Sequence, residues 1–413
     1  MAVIVQKYGG SSVATPELIE AAARNVAESR RAGHDVVVVV SAMGGETDRL
    51  IGLARSLDQK PSPRELDVLL ATGEQASIAL LAIALGRLGI PARSFTGAQA
   101  GITTDGDHGN ARITDVRPSA LRDALIAGRV AVVAGFQGVA EDTGETTTLG
   151  RGGSDTTAVA LAAALDAAVC EIITDVDGVY TADPRVVADA RPLPSISYEE
   201  MLEMAAAGAK VLMQRSVAVA RRMSVPVQVK RLGSPHGTWI TTTTRRNGGA
   251  MENAVISGVT HDSDVVAVAV RVPTSVEMTE ALSESSTRLA DAGVPTKLAV
   301  QSGARPTEHG GQLTYCVPAS GADAAVEALG GEAIAAEPPV VDTDVALVTV
   351  IGSALSLYPG CLPNSLGALR DAAVTVKGMV TSETRITFMC EASAATRAVA
   401  ALHAAFALSE RAA

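Results

Sequence analysis

Aromatic side chains are scarce in this chain: four Phe, five Tyr and one Trp supply 2% of its 413 residues. Single-stranded nucleic acid is gripped by stacking on such rings, and phosphate backbones need a basic face. The formal net charge is −11, so neither half of that recognition is provided and no nucleic-acid partner is expected. Cysteine is equally thin. Cys170, Cys316, Cys361 and Cys390 are scattered, with no CxxC pair and no histidine close by. That points to buried free thiols rather than disulfides or a metal centre, and no protein metal ligand is nominated. Long apolar runs are missing too. The longest, such as Val36–Val40, fall far short of a membrane span, so no membrane partner is expected. The opening MAVIVQKYGG has no basic region and no cleavage site; it reads as a strand, and a cytoplasmic protein is expected. Nucleophilic catalysis finds no footing either. There is no GxSxG and no Cys–His pairing, and the six histidines are dispersed. His108, in GDHGNARI, is the only one in a loop rich in Gly and Asp, and reads as a structural turn residue.

What the chain does have is core. Apolar residues make up 47% and charged residues 19%, the balance of a globular protein of two to three domains at this length. From 1 to about 240, strands and helices alternate. Val3–Tyr8, Asp35–Ser41, Ala92–Phe95, Val130–Phe136, Cys170–Thr174 and Val225–Val229 read as strands, most of them continuously apolar. Pro16–Ala32, Pro63–Leu88 and Asp155–Leu165 have helical spacing. Such strands alternating with helices imply a mostly parallel sheet covered on both faces, an α/β fold. The second half is built differently. DSDVVAVAV (262–270) recurs as DTDVALVTV (342–350), and each copy leads into a helical stretch, two strand-like stretches and another helix, over roughly Val266–Gly331 and Val345–Leu408. That suggests two small α+β modules; chance similarity of two valine-rich strands is the competing explanation. The polar, Gly-rich TTTTRRNGGAMEN (241–253) is the natural boundary.

Four stretches stand where strands end, the edge at which an open parallel sheet places its ligands. KYGGSS puts Lys7 before Gly9 and Gly10, whose backbone N–H groups can approach an anion; in isolation, a surface lysine and a common turn explain it. SAMGGETDRL carries Ser41 and Thr47, and Thr47 could be a plain N-cap. GRGGSD wedges Arg151 among glycines ahead of Asp155. An N-cap role would account for Asp155 alone, but an arginine fork that small residues leave open to approach suits a carboxylate or a phosphate. TDVDGVYTADPR surrounds Tyr180 with Asp-Gly and Asp-Pro turn signals, and GAKVL lies beyond it.

In order along the chain run KYGGSSV, SAMGGETD, GEQAS, HGNARI, AGFQGV, TTTLGRGGSDTTA, TDVDGVYTADPR, YEEMLEMA and GAKVL. With these motifs the chain resembles, over essentially its whole length, the aspartate kinases of the amino-acid kinase superfamily. The repeated half resembles the paired ACT modules that this family uses for amino-acid feedback. The resemblance implies an N-terminal three-layer α/β/α kinase domain over 1–245 and ferredoxin-like ACT modules over 246–335 and 336–413. It implies transfer of a phosphoryl group from MgATP to L-aspartate, giving 4-phospho-L-aspartate. Lys7, Asp155 and Lys210 would be catalytic. Lys7 would bridge the transferred group with Gly9 and Gly10 donating N–H bonds, Lys210 would sit on the phosphates, and Asp155 would hold both lysines. Arg151 would pair with a substrate carboxylate and Glu74 with its ammonium, with Ser41, Thr47, Phe136 and Ser154 completing the aspartate pocket. Thr174, Asp175, Tyr180 and Arg185 would line the nucleotide. Mg²⁺ would ride mainly on ATP oxygens and water.

The physics is consistent with that division. The acceptor carboxylate is already ionised at pH 7 and needs no general base. Its barrier is repulsion from the triphosphate, lowered by cations and backbone donors. The second half departs from the family pattern. RVPTSVEMTEAL (271–282) lacks the family's glycine turn, VPTKLAVQS (294–302) puts Lys297 where an acidic residue is usual, and VTVKGMVTSE (374–383) puts Lys377 at another such place, although SLYPGCLPNSL keeps its Pro359-Gly360 turn. An effector ammonium would meet repulsion there, so weakened lysine/threonine feedback is expected. Met213 and Gln214 stand where many relatives have His-Pro. A homodimer or higher oligomer through the ACT modules is expected, with an ACT-only subunit from an internal start at Met251 as a variant. Rival readings stay open: a kinase for a related acidic amino acid in a specialised pathway, another carboxylate or phosphate kinase of the same superfamily such as an acetylglutamate kinase, and a catalytically silent ATP- or amino-acid-binding regulator.

Overall fold

Runs of valine decide the first half of the chain. The structure, a computed structural model, describes residues 2–209, 211–242, 255–302, 311–331, 334–335 and 337–410, which form two compact units. In chain order the first unit holds β1 (Val3–Tyr8), α1 (Pro16–Arg31), β2 (Asp35–Val40), α2 (Glu46–Leu57), α3 (Pro63–Arg87), β3 (Ala92–Phe95), β4 (Ile102–Thr104), β5 (Ile113–Val116), α4 (Ser119–Ile126), β6 (Val130–Ala134), β7 (Gln137–Ala140), β8 (Thr146–Thr148), α5 (Gly153–Ala164), β9 (Val169–Thr174), β10 (Ser195–Ser197), most of α6 (Tyr198–Ala206), α7 (Gln214–Met223), β11 (Val227–Arg231) and β12 (Thr238–Thr241). Eight strands make one sheet in the order β10-β12-β11-β9-β1-β2-β6-β3, parallel except for the β11–β12 pair.

Side chains alternate across a strand, so each face has its own partners. Tyr8, Val36, Val38, Val40, Val130, Val132 and Ala134 share one core with α1 and α3. The helices α4 and α5 also lie against these strands. The expected α/β/α layering is therefore present. Sequence reading did not anticipate the small sheet β5-β4-β7-β8, whose strands are three or four residues long and carry too little apolar pattern to stand out. The longest uninterrupted apolar runs are too short to cross a membrane. By length and composition alone α3 is long and apolar enough to cross one. Here it packs on α1, α2, β3, β6 and β8 with Asp67 and Glu74 buried, the pattern of a core helix.

The second unit holds β13 (Val255–Asp262), β14 (Val265–Val272), α8 (Met278–Asp291), β15 (Leu298–Ser302), β16 (Gly311–Pro318), α9 (Ala322–Leu329), β17 (Val340–Asp342), β18 (Ala346–Ser353), α10 (Cys361–Asp371), β19 (Gly378–Thr381), β20 (Arg385–Cys390) and α11 (Ala395–Ala405). The repeat is real: β14-α8-β15-β16-α9 and β18-α10-β19-β20-α11 are two α+β modules. They are not laid end to end. The sheets run β15-β16-β14-β17 and β13-β18-β20-β19, so the second module takes its outer strand from β13, ahead of the whole first module. A division at 335/336 assigns β17 to the second module, whereas β17 pairs with β14 of the first. The segment Thr181–Arg191 also belongs to this unit rather than to the first. The Thr181 hydroxyl bonds His403 Nε2 at 2.9 Å, and Arg191 Nε donates to the Leu408 carbonyl at 2.9 Å.

That insertion corrects the reading of the two lysines. Lys297 pairs with Asp262 and Lys377 Nζ with Asp342 Oδ2 at 2.7 Å. Asp262 and Asp342 are equivalent positions of the repeated motif, and each sits on the other module's sheet. Neither lysine is an uncompensated cation, so repulsion of an effector's ammonium does not follow from their charge alone. Met251, the internal methionine, lies outside the described residues.

Candidate active site

Register brings the motif-bearing strand ends together. Tyr8 is level with Val40 and Ile173 in the neighbouring strands, and Val40 is level with Ala134. The loops after β1, β2, β6 and β9 therefore leave from one row along the sheet's carboxyl edge, where such folds bind their ligands. Lys7 points to the opposite face from Tyr8. There its Nζ lies 2.6 Å from Asp155 Oδ1, both side chains nearly buried. Asp155 is not an N-cap, as sequence reading allowed. Gly152 is the N-cap of α5, no side chain makes a capping bond there, and Asp155 is the third helical residue. Its carboxylate is thus left for Lys7, and the positive end of the helix favours its charge.

Glycines let three loops converge. A Cβ on Gly10 would fall 2.9 Å from the Ala42 carbonyl, so KYGG and SAMGG touch backbone to backbone. A Cβ on Gly135 would fall 2.7 Å from Ser154 Oγ, which seats the buried Ser154 against the end of β6. Phe136 ends the expected Val130–Phe136 strand two residues early, because its φ is 69°. A non-glycine residue in that region carries strain and persists only where its surroundings hold it. Here the Phe136 N–H donates to Thr157 Oγ1 at 3.2 Å and its carbonyl accepts from Leu149 at 2.8 Å.

Glu74 is the most informative side chain. It is 3% exposed, and its Oε1 accepts the Ala42 N–H at 2.9 Å. Its Oε2 is buried with no hydrogen-bond partner among the described residues. Burial pushes its pKa up from the ordinary 4.5 to about 7, with the Ala42 bond pulling the other way. Ser41 precedes Ala42, and Thr47 lies inside the first turn of α2, whose N-cap is Gly45; the N-cap reading of Thr47 does not hold. Arg151 is exposed between two glycines of φ 71° and 72°.

The remaining expected residues divide. Thr174 ends β9 and bonds Asp175 at 2.9 Å. The Tyr180 hydroxyl donates to Asp177 Oδ2 at 3.3 Å, and Asp177 is bonded by Arg231 Nε at 2.7 Å. Arg231 was not nominated from sequence, since a lysine-arginine pair at a strand end carries no motif. Arg185 falls in the second unit, where its guanidinium bonds Asp183. Lys210 lies outside the described residues. His108 proves structural: buried Asp67 takes its Nδ1 at 2.8 Å, the Thr148 hydroxyl at 2.5 Å and the Gly109 N–H at 3.1 Å, tying the 107–110 turn to α3. Among the described residues no three His, Cys, Asp or Glu converge as a metal cluster.

Residues 2–231 match the model of the amino acid kinase family, and 348–406 match an ACT domain. An aspartokinase of Mycolicibacterium smegmatis is 46% identical over 411 residues, 99% of this chain and 97% of that one. Among solved structures, aspartokinase III of E. coli in complex with aspartate and ADP is similar with a TM-score of 0.81 at 25% identity, over 98% of this chain and 99% of that one. The same enzyme in complex with lysine and aspartate gives a TM-score of 0.73 at 25% identity, over 97% and 99%.

Proposed function

The chain belongs to the amino acid kinase family as an aspartokinase, which phosphorylates the side-chain carboxylate of L-aspartate with ATP, and from that premise we propose how its residues divide the work. Lys7 bridges the transferring phosphoryl group, and Gly9 and Gly10 donate backbone N–H groups beside it. Asp155 holds Lys7 and, with it, Lys210, which sits on the phosphates. Glu74 takes the aspartate ammonium on its unpaired Oε2, and Arg151 takes a carboxylate. Ser41, Thr47, Phe136 and Ser154 close around the acceptor, while Thr174, Asp175 and Tyr180 face the nucleotide. The observation that carries this division is the Lys7–Asp155 pair at the carboxyl edge of the parallel sheet. A cation held there offsets carboxylate–phosphate repulsion, which is the barrier to this transfer. Mg²⁺ would arrive with ATP and offset the charge of its phosphates.

A hydroxamate assay with aspartate, glutamate and N-acetylglutamate tests the substrate; turnover confined to aspartate is expected. Lys7→Ala and Arg151→Ala should each lower kcat/KM by orders of magnitude with native circular dichroism. Wild-type kinetics in either would refute the division.

We further propose weak feedback by lysine with threonine. The support is that Lys297 fills the place of an effector-binding acid and is held by Asp262, which leaves no free carboxylate at that place for an effector's ammonium. Cooperative inhibition at about 1 mM of each amino acid, the scale of ordinary metabolite affinities, would overturn this. A homodimer or larger oligomer through the ACT modules is proposed, to be read by sedimentation. A cytoplasmic location fits four buried free thiols.

A further inference from the structure

Arg215 has no role in the assignments above, yet it makes three bonds to the acceptor loop and the turn beside it. It lies in the first turn of α7, half-buried. Its Nη1 donates to the Leu149 carbonyl at 2.5 Å and to Asn110 Oδ1 at 3.2 Å, and its Nη2 donates to the Ala111 carbonyl at 2.8 Å. These acceptors are neutral and fixed, so the guanidinium fork serves as a brace with defined geometry. They also lie on the two loops that need one. Leu149 is the last residue before Gly150-Arg151-Gly152, where both glycines are left-handed. Asn110 and Ala111 belong to the adjacent turn, which meets the first loop through the Ala111 N–H on the Thr148 carbonyl at 2.9 Å. A second contact from the same segment fixes the loop's far side. A Cβ on Gly152 would fall 1.9 Å from Met213 Cγ, so Gly152 is seated directly on Met213.

We infer that Arg215 is a positioning residue for the acceptor: it holds the Gly150–Gly152 loop on α7 so that Arg151 meets the substrate carboxylate. This rests on the reading of Arg151 given above. A loop with two left-handed joints and an exposed arginine has little of its own to define where that arginine points. Braced from α7, it has its position set by a helix rather than by its own two joints. A displacement of about 1 Å at a reacting group costs on the order of 100-fold in rate.

The test is a double-mutant cycle on the full chain, with KM for aspartate and for ATP measured separately. Arg215→Ala should raise the aspartate KM tenfold or more while the ATP KM changes less than threefold. Arg215→Lys, which keeps the charge without the fork, should fall between wild type and Arg215→Ala. In an Arg151→Ala background, Arg215→Ala should add less than twofold to the aspartate KM, because its effect runs through Arg151. Added guanidinium ion at millimolar level should restore part of the Arg215→Ala loss and none of the Arg151→Ala/Arg215→Ala loss. If Arg215→Ala does not fold, the Lys variant carries the same comparison. An aspartate KM within twofold of wild type in the folded Arg215 variants, with only the melting temperature lowered, would overturn the inference. If Arg151→Ala itself leaves the aspartate KM unchanged, the reading of Arg151 fails instead.

Discussion

Replacing Glu74 with glutamine separates what this residue costs the fold from what the proposed division of work has it give the substrate. Glu74→Gln keeps the shape and an oxygen for the Ala42 N–H, and removes the charge. In the free protein the charge is a burden, since Oε2 is buried without a partner and the pKa stands near 7 against an ordinary 4.5. The sign follows from proton counting. Between those two values the folded chain holds a proton that the unfolded chain has lost, so stability falls as pH rises through this window. A shift of that size corresponds to about 3 kcal/mol, fully expressed above pH 7. Glutamine does not titrate. The stability of Glu74→Gln relative to wild type should therefore rise between pH 5 and pH 8 by about that amount, and level off above it. Aspartate binding should show the reverse. An ammonium on Oε2 gives the carboxylate its missing partner, so wild-type aspartate KM should climb as pH falls below 7. In Glu74→Gln the KM should be about 10- to 100-fold higher, from the loss of a charged hydrogen bond of about 1.5–3 kcal/mol, and flat with pH. Urea unfolding at pH 5, 6, 7 and 8 without ligand, beside aspartate KM at the same values, makes the measurement. A stability difference that does not change with pH would refute the reasoning, because it would mean that Glu74 is not protonated in the free protein at pH 5.

Three further outcomes are expected. Asp155→Asn should lower turnover at least 100-fold and reduce the stability of the free enzyme by about 3 kcal/mol, since it strands a nearly buried lysine; ATP supplies Lys7 with a new anion, so its thermal shift should exceed that of wild type, and equal shifts would count against the pairing. Gly152→Ala should cost about 1–3 kcal/mol from its positive φ plus the collision with Met213, and Met213→Ala in the same chain should relieve the collision but not the backbone strain, as read by thermal unfolding. The two repeated ion pairs should differ: Lys297→Ala strands Asp262, whose side chain is 8% exposed, and should cost about 3 kcal/mol, whereas Lys377→Ala releases Asp342, 44% exposed, and should cost at most about 1 kcal/mol; equal losses would show that burial does not govern them.

Much of the first unit was legible because its strands are covered on both faces. A strand buried on both sides must be apolar throughout, so DVVVVV and VAVVA announce themselves, and their ends locate the site without further information. What stayed hidden depended on single dihedrals and on register along a helix. Nothing in AGFQG says that Phe136 turns left-handed; its neighbours Thr157 and Leu149 impose that through bonds from elsewhere in the chain. Asp155 looked like a cap because the two glycines before it were read as loop, whereas α5 begins at Gly153. A shift of the cap by three residues, from 155 to 152, changes the role of the carboxylate, from one that satisfies its own helix to one that is free to hold Lys7. Arg215 was invisible for a different reason. Its partners are carbonyl groups, and carbonyls are present at every position, so no pattern of side chains points to them.

The second unit shows the limit of reading charge from one strand. Lys297 in VPTKLAVQS is a basic residue in an acidic residue's place, and taken alone it argues for repulsion of a cationic effector. Its neutralising partner, Asp262, is only 35 positions away, but it reaches Lys297 because β13 joins the sheet of the second module before the first module begins. The same holds in mirror fashion for Lys377 and Asp342, through β17. Each lysine therefore meets an aspartate carried on the other module's sheet, and the two pairs cross the junction in opposite directions. Any effector that needs the site near Lys297 must compete with an ion pair that also ties the modules together. Its binding free energy would be reduced by the cost of freeing Asp262, and the measurable consequence is linkage: weakening the pair by salt should lower the stability of the unit, while any affinity for lysine should rise or stay level.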